Sequence, residues 1–599
     1  MTVVDKEHIR NLAIIAHVDH GKTTLVDGLL RQSGVFRKGQ DVGERILDRN
    51  ELERERGITI MSKNTAVLYE GYRLNIVDTP GHADFGGEVE RIMRMVDGAL
   101  LLVDAFEGPM PQTRFVLRKA MAAGLAPIVV INKMDRPNAR PAEVLDEVLD
   151  LFIELGATEA QLDFPVVYTV ATRGIASLDP NREGTDLRPL FETIIRHIPA
   201  PQGDPDAPLQ LGVAMIDYDS YVGRQAIGRI LNGRIHVKQE VAVLSGPEGT
   251  PTRQYVAELH EFQGLKKIPV EEASVGEVVV VAGLDHINVG DTIADVEHPK
   301  PVPFVKIDEP TVAMTFLVNK SPFAGREGQF VTSRNLRERL FRELESNVSL
   351  RVQETDSPDA FLVYGRGELH LSILIETMRR EGYEFEVSRP RVVTREVDGQ
   401  LQEPVEEVLV DVPSEYVGVV MERMGQRRAQ LVNMNTRPDG HTHLTFYLAT
   451  RGIFGLRSEL LTDTKGTVIL YHSFHHYAPW AGDIPTRSRG SLVAFETGTT
   501  TAYGIENAQE RGDMFVVPGE EVYAGQIVGE CARPEDIRVN VCKKKRLTNM
   551  RSSTADIAVK LTPPREMSLE QCLEFIRDDE LLEVTPRSLR MRKRDDASR

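Results

Sequence analysis

The sequence predicts a multidomain protein with an N-terminal α/β domain, a β-barrel domain, two ferredoxin-like α+β domains and a mostly β C-terminal domain. Its 599 residues are too many for one hydrophobic core. Proline-rich segments divide the chain, because a proline lacks a backbone N–H and disfavours helix at the residue before it. Between these segments the apolar pattern changes from alternating strands and helices to short strands alone, and later returns to both.

Proline-rich breaks define the predicted domain boundaries. The clearest break runs from Pro199 to Pro208, and others lie at His298–Pro303, Ser388–Pro390 and Pro479–Pro485. From these breaks we predict five domains with the following bounds: an α/β domain at 1–199, a β-barrel at 200–303, α+β domains at 304–390 and 391–481, and a C-terminal domain at 482–599.

The N-terminal segment alternates apolar runs with helical patterns, which is typical of a mostly parallel sheet. The runs are Leu12–Ala16, Leu74–Val77, Ala99–Val103, Pro127–Ile131 and Pro165–Tyr168. Ligands of such sheets bind at the carboxyl ends of the strands. The residues that follow these runs are therefore the first candidates for a functional site.

The later segments predict the remaining folds. Short runs rich in Val, Ile and Gly between Leu209 and Ala294 predict a small antiparallel barrel. Beyond it, two segments each begin with a strand and lead into a helix with apolar residues at i, i+3, i+4 and i+7. These residues are Leu371, Leu374, Ile375 and Met378 in the first segment, and Val417, Val420, Met421 and Met424 in the second.

Composition and charge limit the class of protein. With 41% hydrophobic and 27% charged residues the chain is of the ordinary globular type, and it contains no run of about 20 apolar residues to span a bilayer. The formal net charge of −18 argues against indiscriminate nucleic-acid binding, which requires basic groups. Cys531, Cys542 and Cys572 are too few for a disulfide framework or a zinc site, and the N-terminus lacks an apolar signal region. We therefore expect a cytoplasmic protein with reduced thiols and no membrane association.

A phosphate-binding loop follows the first strand. The segment Ala16–Thr23 leads from that strand into a helix, with Ala16 where the usual pattern has its first glycine. Backbone N–H groups of such a loop bind phosphates. We expect Lys22 to reach the β- and γ-phosphates and the Thr23 hydroxyl to bind Mg²⁺. The predicted nucleotide contacts in this loop are Asp19, His20, Gly21, Lys22, Thr23 and Thr24.

Two segments farther along complete the predicted Mg²⁺ site. Asp78 follows a strand and is expected to position the metal, while the N–H of nearby Gly81 contacts the γ-phosphate. Between the loop and Asp78 lies Gly57-Ile58-Thr59, where a mobile loop would bring the Thr59 hydroxyl to the metal. The predicted metal ligands are Thr23, Thr59 and Asp78.

The segment Asn132-Lys133-Met134-Asp135 follows the strand Pro127–Ile131 and predicts specificity for guanine. The Asp135 carboxylate would accept hydrogen bonds from guanine N1 and N2, and opposite adenine it would stay unpaired at a cost in free energy. GTP is therefore the expected ligand, with contacts from Asn132, Lys133 and Asp135. The alternative is a metabolic α/β enzyme with chance motifs. It is disfavoured because the motifs keep their order and each follows a strand.

These motifs resemble those of the translational GTPases, which include elongation factors Tu and G. The resembling runs are His17–Thr23, Glu55–Ile60 and Asp78–His82. Further segments resemble the TypA/BipA family of ribosome-associated GTPases along nearly the whole chain: Asp84–Arg91, Gly108–Phe115, Ser321–Gly328, Gly365–Leu371 and Arg546–Arg551. The LepA family shares the general layout, but its C-terminal sequence differs in kind from Lys543–Arg551.

The resemblance implies a catalytic arrangement around the γ-phosphate. His82 would orient the attacking water, and Val18 and Ile58 would form an apolar gate in front of it. Lys22 joins them as a catalytic residue because phosphoryl transfer requires positioning and charge stabilisation. The alternative role for His82 is a cap on the turn after Gly81.

One segment departs from the family pattern. This chain has Val170-Ala171-Thr172 where the family usually has Ser-Ala after the last strand of the nucleotide domain. The backbone N–H of Ala171 would contact guanine O6, so specificity is expected to survive. We expect the missing serine hydroxyl to loosen the loop and weaken affinity.

The densest basic cluster of this acidic chain lies near its C-terminus. The candidate RNA contacts are Lys543, Lys544, Lys545, Arg546, Asn549 and Arg551. A solvated loop is the alternative, but the resemblance implies contact with the peptidyl-transferase region and the acceptor end of A-site tRNA. Phosphate contacts of this kind fix orientation on RNA. The expected partners of this monomer are the 70S ribosome, the large subunit through its rRNA, and tRNA.

The sequence therefore predicts a ribosome-dependent GTPase that hydrolyses GTP with Mg²⁺ at the factor/A site and acts in large-subunit assembly and translation under stress. Three alternatives stay open: a LepA-like elongation role, an assembly factor whose binding rather than hydrolysis is the output, and a non-ribosomal ATPase. His472, His475 and His476 suggest a metal site, but the alternating pattern around them favours ordinary strand side chains.

Overall fold

The structure is a computed structural model. It describes residues 4–17, 19–33, 51–56, 62–80, 86–219, 222–246, 249–285, 287–303, 309–345, 347, 349–436, 440–484, 487, 489–544 and 561–594. The chain divides into two compact units, one made of residues 1–308 with 345–348 and the other of 309–344 with 349–599.

The first unit begins with an α/β domain. Its strands are β1 (Ile9–Ala16), β2 (Lys63–Tyr69), β3 (Tyr72–Asp78), β4 (Gly98–Asp104), β5 (Ala126–Asn132), β6 (Val166–Val170) and β7 (Ile175–Ser177). Its helices are α1 (Lys22–Gln32), α2 (Glu51–Arg56), α3 (Gly86–Met95), α4 (Pro111–Ala122), α5 (Pro141–Glu154), α6 (Glu159–Leu162) and α7 (Arg188–His197).

The seven strands form one sheet in the order β2-β3-β1-β4-β5-β6-β7. The strands from β3 to β6 are parallel, and β2 and β7 add to the two edges in the antiparallel sense. All five predicted apolar runs overlap these parallel strands, so the predicted sheet is confirmed. Burial on both faces explains why the central strands are apolar throughout. Every residue of β4, for example, is buried.

The rest of the first unit is an antiparallel β-barrel domain, as predicted. Its strands are β8 (Gln210–Asp219), β9 (Gly223–Asn232), β10 (Arg234–His236), β11 (Glu240–Leu244), β12 (Thr252–Tyr255), β13 (Glu258–Gln263), β14 (Lys266–Pro269), β15 (Glu272–Ser274), β16 (Val278–Ala282) and β17 (Thr292–Ala294). Charged groups join it to the α/β domain. Arg73 of β3 lies 2.6 Å from Glu261 and 3.2 Å from Glu277, and Arg229 of β9 lies 2.9 Å from Asp97.

The second unit opens with two α+β segments. The first contains β18 (Val312–Val318), α8 (Ser333–Glu343), β19 (Arg351–Glu354), β20 (Ala360–Gly365), α9 (Glu368–Arg380), β21 (Phe385–Ser388) and β22 (Arg391–Val392). The second contains β23 (Arg395–Val397), β24 (Gln400–Pro413), α10 (Val417–Gln426), β25 (Gln430–Thr436), β26 (His441–Ala449), α11 (Leu456–Asp463) and β27 (Ile469–Pro479).

The C-terminal segment is mostly β. It contains β28 (Ser491–Ala494), β29 (Gly498–Thr499), α12 (Ala502–Gln509), β30 (Gly512–Met514), β31 (Glu521–Val522), β32 (Gln526–Cys531), β33 (Ile537–Val539), α13 (Leu569–Phe575), β34 (Glu580–Val584) and β35 (Leu589–Lys593). Cys531, Cys542 and Cys572 are free thiols.

One sheet runs through the first α+β segment and the C-terminal segment. β21 pairs with β34 in the antiparallel sense, and the sheet continues through β35, β32 and β28 to β33. Phe316 and Phe385 share a core cluster with Leu582 and Met591. The two segments therefore share one hydrophobic core, and the C-terminal segment has a second cluster that includes Leu492, Ile505 and Val528.

The two predicted helices differ in how well their apolar stripes are buried. In α9, Leu371, Leu374, Ile375 and Met378 are all buried, as the spacing predicts. In α10, Val420 and Met424 are buried, but Met421 is 37% exposed. The predicted helix is present, but the part of its apolar face that is buried is narrower in α10 than in α9.

Candidate nucleotide-binding site

Three polar residues end three strands of the N-terminal sheet. Asp78, Asp104 and Asn132 are the last residues of β3, β4 and β5. Each is at most 3% exposed. The parallel register places Asp104 opposite Asn132. A buried polar edge at the carboxyl ends of parallel strands is where such folds bind ligands.

The loop after β1 enters α1 through two residues in the left-handed region of backbone space. Asp19 has a φ of 64° and Gly21 a φ of 94°. A side chain at Gly21 would be strained, and its Cβ would overlap the side-chain nitrogen of Asn132. Lys22 is the first residue of α1, and no described side chain caps this end. The N–H groups of the first turn of a helix are the groups that bind anions in loops of this kind.

The side chain of Asn132 connects the phosphate-binding loop to the end of β6. Its Nδ2 donates a hydrogen bond of 2.8 Å to the main-chain oxygen of His20. Its Oδ1 accepts hydrogen bonds of 3.0 Å from the Thr169 hydroxyl and from the Ala171 N–H. These bonds satisfy polar groups that lie in the protein interior, as burial requires. The loop and the segment predicted to contact the base are joined through one residue.

Lys22 and Asp78 form an ion pair at the start of α1. Lys22 Nζ lies 2.6 Å from Asp78 Oδ1 and donates a hydrogen bond of 2.9 Å to the main-chain oxygen of Thr79. Burial raises the pKa of the Asp78 carboxyl, and the ammonium group of Lys22 acts in the opposite direction. The Thr79 hydroxyl donates to the Ile14 main-chain oxygen at 2.6 Å, which fixes the end of β3 against β1.

The donor set beside Lys22 fits Mg²⁺, which prefers hard oxygen ligands. Asp78 offers a buried carboxylate, and Thr23, half-buried in the first turn of α1, offers a hydroxyl. When bound beside a triphosphate, Mg²⁺ would neutralise charge on the phosphate oxygens. Thr59, the third predicted ligand, lies outside the described residues.

Asp104 is a residue of this site that the motifs did not indicate. Its Oδ1 accepts the N–H of Phe106 at 2.8 Å, and its Oδ2 lies 2.9 Å from Lys133 Nζ. Arg136 approaches the same carboxylate at 3.1 Å. Asp104 thus positions the lysine next to Asn132. The signal was present, because Asp104 ends an apolar strand just as Asp78 and Asn132 do.

A second side-chain contact supports the loop from inside the domain. His20 is fully buried, and its Nε2 lies 3.4 Å from Glu107 Oε2. The His20 imidazole, together with the Arg136 guanidinium, lowers the pKa of Glu107 to about 2. His20 therefore holds the loop through its side chain, while its main-chain oxygen is bound to Asn132.

Four family models match the chain. They are the elongation factor Tu GTP binding domain at residues 7–200, elongation factor Tu domain 2 at 223–294, the elongation factor G C-terminus at 400–488 and the TypA/BipA C-terminal domain at 489–598. The site described above lies within the first match.

Curated relatives match the chain over nearly its full length. The large ribosomal subunit assembly factor BipA of Synechocystis is 54% identical over 98% of both chains. The protein of that name in Bacillus subtilis is 55% identical over 98% of this chain and 96% of its own. The one in Escherichia coli K12 is 52% identical over 98% of this chain and 97% of its own. This chain belongs to the TypA/BipA family.

As a member of the TypA/BipA family with this GTP-binding domain, the protein is a GTPase and a multidomain translation factor, as the sequence predicts.

A crystal structure of a protein from Thermus thermophilus is similar in fold. It is 19% identical, has a TM-score of 0.55 and covers 79% of this chain and 98% of its own. Among the described residues of this TypA/BipA chain, no helix has the length and apolar character to cross a membrane.

The structure brings together most of the predicted nucleotide residues. The loop from Asp19 to Thr24 lies at the end of β1, with Asn132 and Ala171 bonded to each other beside it. Asp135 is exposed, three residues after Asn132. Outside the described residues lie Val18, Ile58, Thr59, Gly81 and His82. Their roles stay predictions.

The basic cluster of this TypA/BipA chain is described only at its start. Lys543 and Lys544 are exposed, and the Lys543 main-chain oxygen accepts a hydrogen bond of 2.5 Å from the Thr501 hydroxyl. Lys543 Nζ lies 5.9 Å from the centre of the Tyr503 ring. Outside the described residues lie Lys545, Arg546, Asn549 and Arg551.

The histidines of β27 have protein partners. His472 Nδ1 lies 2.6 Å from Glu406 Oε2. His475 Nδ1 lies 2.8 Å from His476 Nδ1, and the His475 ring packs on Tyr447 with centroids 4.6 Å apart. Within the described part of the chain, no group of three or more His, Cys, Asp or Glu side chains is arranged to bind a metal.

Proposed function

We propose that this GTPase hydrolyses GTP with Mg²⁺ while bound to the ribosome and that it serves in assembly of the large subunit. The single observation that carries the proposal is the link made by Asn132, which bonds to the phosphate-binding loop at His20 and to the base-binding segment at Ala171. That link holds the two halves of a GTP pocket together. The curated relatives carry the name large ribosomal subunit assembly factor, which supports the choice of ribosomal partner.

In the proposed mechanism Lys22 exchanges its partner when GTP binds. Its ammonium group would move from Asp78 to the β- and γ-phosphates. Thr23, Thr59 and Asp78 would hold Mg²⁺, which would supply the positive charge that balances the Asp78 carboxylate. Lys22 Nζ lies 2.6 Å from Asp78 Oδ1, which supports a mechanism in which this cation starts beside the proposed metal ligand. Binding therefore requires only a short displacement of this side chain.

We assign guanine specificity to Asp135. The Ala171 N–H donates to Asn132 Oδ1 at 3.0 Å, so its predicted contact with guanine O6 requires it to share or exchange that acceptor. Asp135 follows Lys133, which has a φ of 62° and turns the chain out of β5. The Met134 N–H donates to the Thr169 main-chain oxygen at 3.3 Å, which holds the turn against β6. An aspartate held on such a turn would accept hydrogen bonds from the N1–H and N2–H groups of guanine. Opposite adenine it would make neither bond.

We further propose that His82 orients the attacking water behind an apolar gate formed by Val18 and Ile58, and that the ribosome opens this gate. Slow hydrolysis in solution and fast hydrolysis on ribosomes follow from this arrangement, since the chemistry depends on positioning. Loss of the γ-phosphate would then release the loops that it orders. The protein would work in the cytoplasm as a monomer.

We propose that the segment from Lys543 to Arg551 contacts rRNA and the acceptor end of A-site tRNA. Lys543 and Lys544 are exposed at its start. Exposed cations in an otherwise acidic chain bind phosphate without reading sequence. The chain would thereby be oriented on RNA through its C-terminal segment.

The test compares His82→Ala and Lys22→Ala with the wild type on 70S ribosomes. His82→Ala should bind GTP with unchanged affinity and hydrolyse it at least about 100-fold more slowly on ribosomes, because only water positioning is lost. Lys22→Ala should lose GTP binding. Lys300→Ala, which removes an exposed lysine outside the pocket, is the control. Equal affinity of the wild type for ATP and GTP, or His82→Ala hydrolysis at the wild-type rate, would disprove the proposal.

A second candidate function is favoured by the relatives' name: an assembly factor whose output is binding, with hydrolysis used only for release. The His82→Ala variant separates the two. If large-subunit maturation proceeds in cells that carry only this variant, binding is the output. If maturation stops while the variant stays bound to subunits, hydrolysis is required for each round.

A further inference from the structure

A cavity of about 480 Å³ opens on the long sheet of the second unit, far along the chain from the GTP site. It is lined by residues of β28, β33 and β35, by the segment Tyr523–Gly525 that precedes β32, and by Lys320 after β18. This volume lies within the range of small-molecule sites. No step of GTP hydrolysis uses this cavity.

Charged side chains line the cavity wall. Four are cations and two are carboxylates: Lys320, Arg538, Arg592 and Lys593, with Asp536 and Asp579. Arg592 pairs with Glu386 at 2.7 Å, and Lys593 lies 2.5 Å from Asp536, 2.8 Å from Asp579 and 2.9 Å from Glu580, so both inner cations are neutralised and held in place by the protein. The inner wall is therefore a fixed polar surface.

The other two cations, Lys320 and Arg538, are held less firmly by protein partners. Lys320 is 58% exposed and pairs with Asp359 at 2.9 Å, and an exposed pair of this kind contributes little and exchanges readily. Arg538 is exposed and forms no ion pair with any described residue. A guanidinium in this situation suits a phosphate, which it binds through two parallel N–H groups.

The rim of the cavity carries an unusual aromatic side chain. Phe495 is 60% exposed although it directly follows the buried strand β28. Its N–H donates to the Val539 main-chain oxygen at 2.9 Å, so its backbone is fixed next to Arg538. Its ring makes no stacking or cation contact with another described residue. Exposing a large apolar ring costs solvation free energy, and a flat ligand that stacks on it would recover that cost.

We propose that this cavity binds a single nucleotide, with the base on Phe495, the phosphate on Arg538 and Lys320, and a base amino group donating to Asp579. The proposal goes beyond GTP hydrolysis and is independent of it. The nucleotide comes either from free mononucleotide or from an unpaired position of RNA, since both present a phosphate beside a flat base. Base stacking on an aromatic ring gives roughly tenfold in affinity.

The first experiment measures fluorescence anisotropy of 5′-fluorescein-labelled hexaadenylate RNA with the GTP site saturated by GDP. Phe495→Ala and Arg538→Ala should each weaken binding about tenfold. Arg538→Ala should also lower the slope of log affinity against log salt by about 0.7. Phe474→Ala and Arg533→Ala, which remove an exposed ring and an exposed arginine outside the cavity, are the matched controls and should stay within about twofold of the wild type.

Competition distinguishes the two sources of nucleotide. Displacement of the probe by millimolar adenosine monophosphate identifies free mononucleotide as a sufficient ligand, and displacement by unlabelled RNA alone identifies the polymer. Either result supports the site. If Phe495→Ala and Arg538→Ala bind the probe as tightly as the wild type, or if polyglutamate displaces the probe and RNA does not, the proposal is wrong.

A second experiment observes the stack directly. The chain contains one tryptophan, Trp480, so the double variant Trp480→Phe/Phe495→Trp carries its only indole at the cavity rim. Hexaadenylate should quench this fluorescence with the same midpoint as the anisotropy titration. Absence of quenching at a concentration that saturates the anisotropy signal would overturn the assignment of Phe495.

Discussion

The side-chain amide of Asn132 donates a hydrogen bond of 2.8 Å to the main-chain oxygen of His20, across 112 positions of the chain. The same side chain accepts the Ala171 N–H at 3.0 Å. Asn132 therefore fixes the distance between the loop predicted to bind phosphates and the segment predicted to bind the base. Its role here is structural before any ligand binds, which means that its loss should affect both halves of the pocket.

Asn132→Ala should weaken GTP binding by about two orders of magnitude. Three buried hydrogen bonds are lost, each worth about 1 kcal/mol. Fluorescence titration with a labelled GTP analogue measures the effect. Thr169→Val removes only one of the three bonds, so its loss of affinity should be less than about tenfold. An Asn132→Ala variant with the affinity of the wild type would contradict this role.

Gly21→Ala should abolish GTP binding while leaving a folded protein. The φ of 94° is unfavourable for alanine, and the new Cβ would displace Asn132 from His20. Gly28→Ala, in the same helix, meets only the tip of the Leu187 side chain at 3.0 Å. That control should bind GTP normally. Circular dichroism and the same titration check both variants, and normal binding by Gly21→Ala would refute the geometry of the loop.

Lys22→Met should destabilise the protein by about 3–5 kcal/mol as well as abolish GTP binding. The substitution leaves the Asp78 carboxylate buried without its cation, and breaking a buried pair from one side has this cost. The double variant Lys22→Met/Asp78→Asn removes the stranded charge. It should recover most of the stability, measured by urea unfolding, and none of the binding. Equal stability of the single and double variants would show that the pair is not coupled.

The contact between the α/β domain and the barrel should depend on pH through Glu277. Burial, together with the neighbouring carboxylate of Glu261, raises the pKa of Glu277 to about 8, while Arg73 opposes this shift. A raised pKa means that the folded protein prefers the protonated carboxyl. The protonated Glu277 carboxyl stabilises the folded protein fully at a pH below the pKa of this group in the unfolded chain, near 4.5. This stabilisation is lost as the pH rises through the folded-state pKa of about 8.

Glu277→Gln imitates the protonated form and should flatten this dependence. The wild type should lose stability as the pH rises, and the variant should not. The free energy of unfolding of Glu277→Gln minus that of the wild type should therefore increase by about 2–4 kcal/mol between about pH 5 and pH 8.5. Glu271→Gln, an exposed carboxylate in the preceding turn, is the control and should follow the wild type. Urea unfolding at a series of pH values measures all three proteins. Parallel curves for the wild type and Glu277→Gln would contradict the shifted pKa.

Charge reversal at Lys543, Lys544 and Lys545 should weaken ribosome binding and reduce its salt dependence. Each phosphate contact releases about one counterion, so the slope of log affinity against log salt should fall by up to about 3. Reversal of Lys465, an exposed lysine outside this loop, is the control. Sedimentation with 70S ribosomes at several salt concentrations provides the measurement. Unchanged affinity and slope in the triple variant would remove this loop from the RNA contact.

The parallel strands and the position of the phosphate-binding loop were predictable because they depend on local pattern. An apolar run followed by Asp78 or Asn132 marks the carboxyl end of a parallel strand wherever the partner strand lies. Asp104 carries the same mark and was missed, since no familiar motif surrounds it. Its role becomes apparent only in the folded structure, where Lys133 Nζ lies 2.9 Å from Asp104 Oδ2.

Long-range pairing could not be predicted from pattern. Nothing in the residues of β21 indicates that β34 will lie beside it, because many strands in the chain share the same alternation of apolar residues. The exposure of Met421 could not be predicted from the sequence for a related reason. Spacing shows which residues share a helix face, whereas the width of the buried stripe depends on what packs against it.

The pairing of β21 with β34 affects how this protein is made. Arg592 binds Glu386 across 206 positions of the chain, and at about 5–20 residues per second a nascent chain waits roughly 10–40 s between the synthesis of the two. During that interval the edge of β21 is open to a chaperone or a protease. The sheet in the middle of this polypeptide can therefore be completed only after β34 and β35 have been translated.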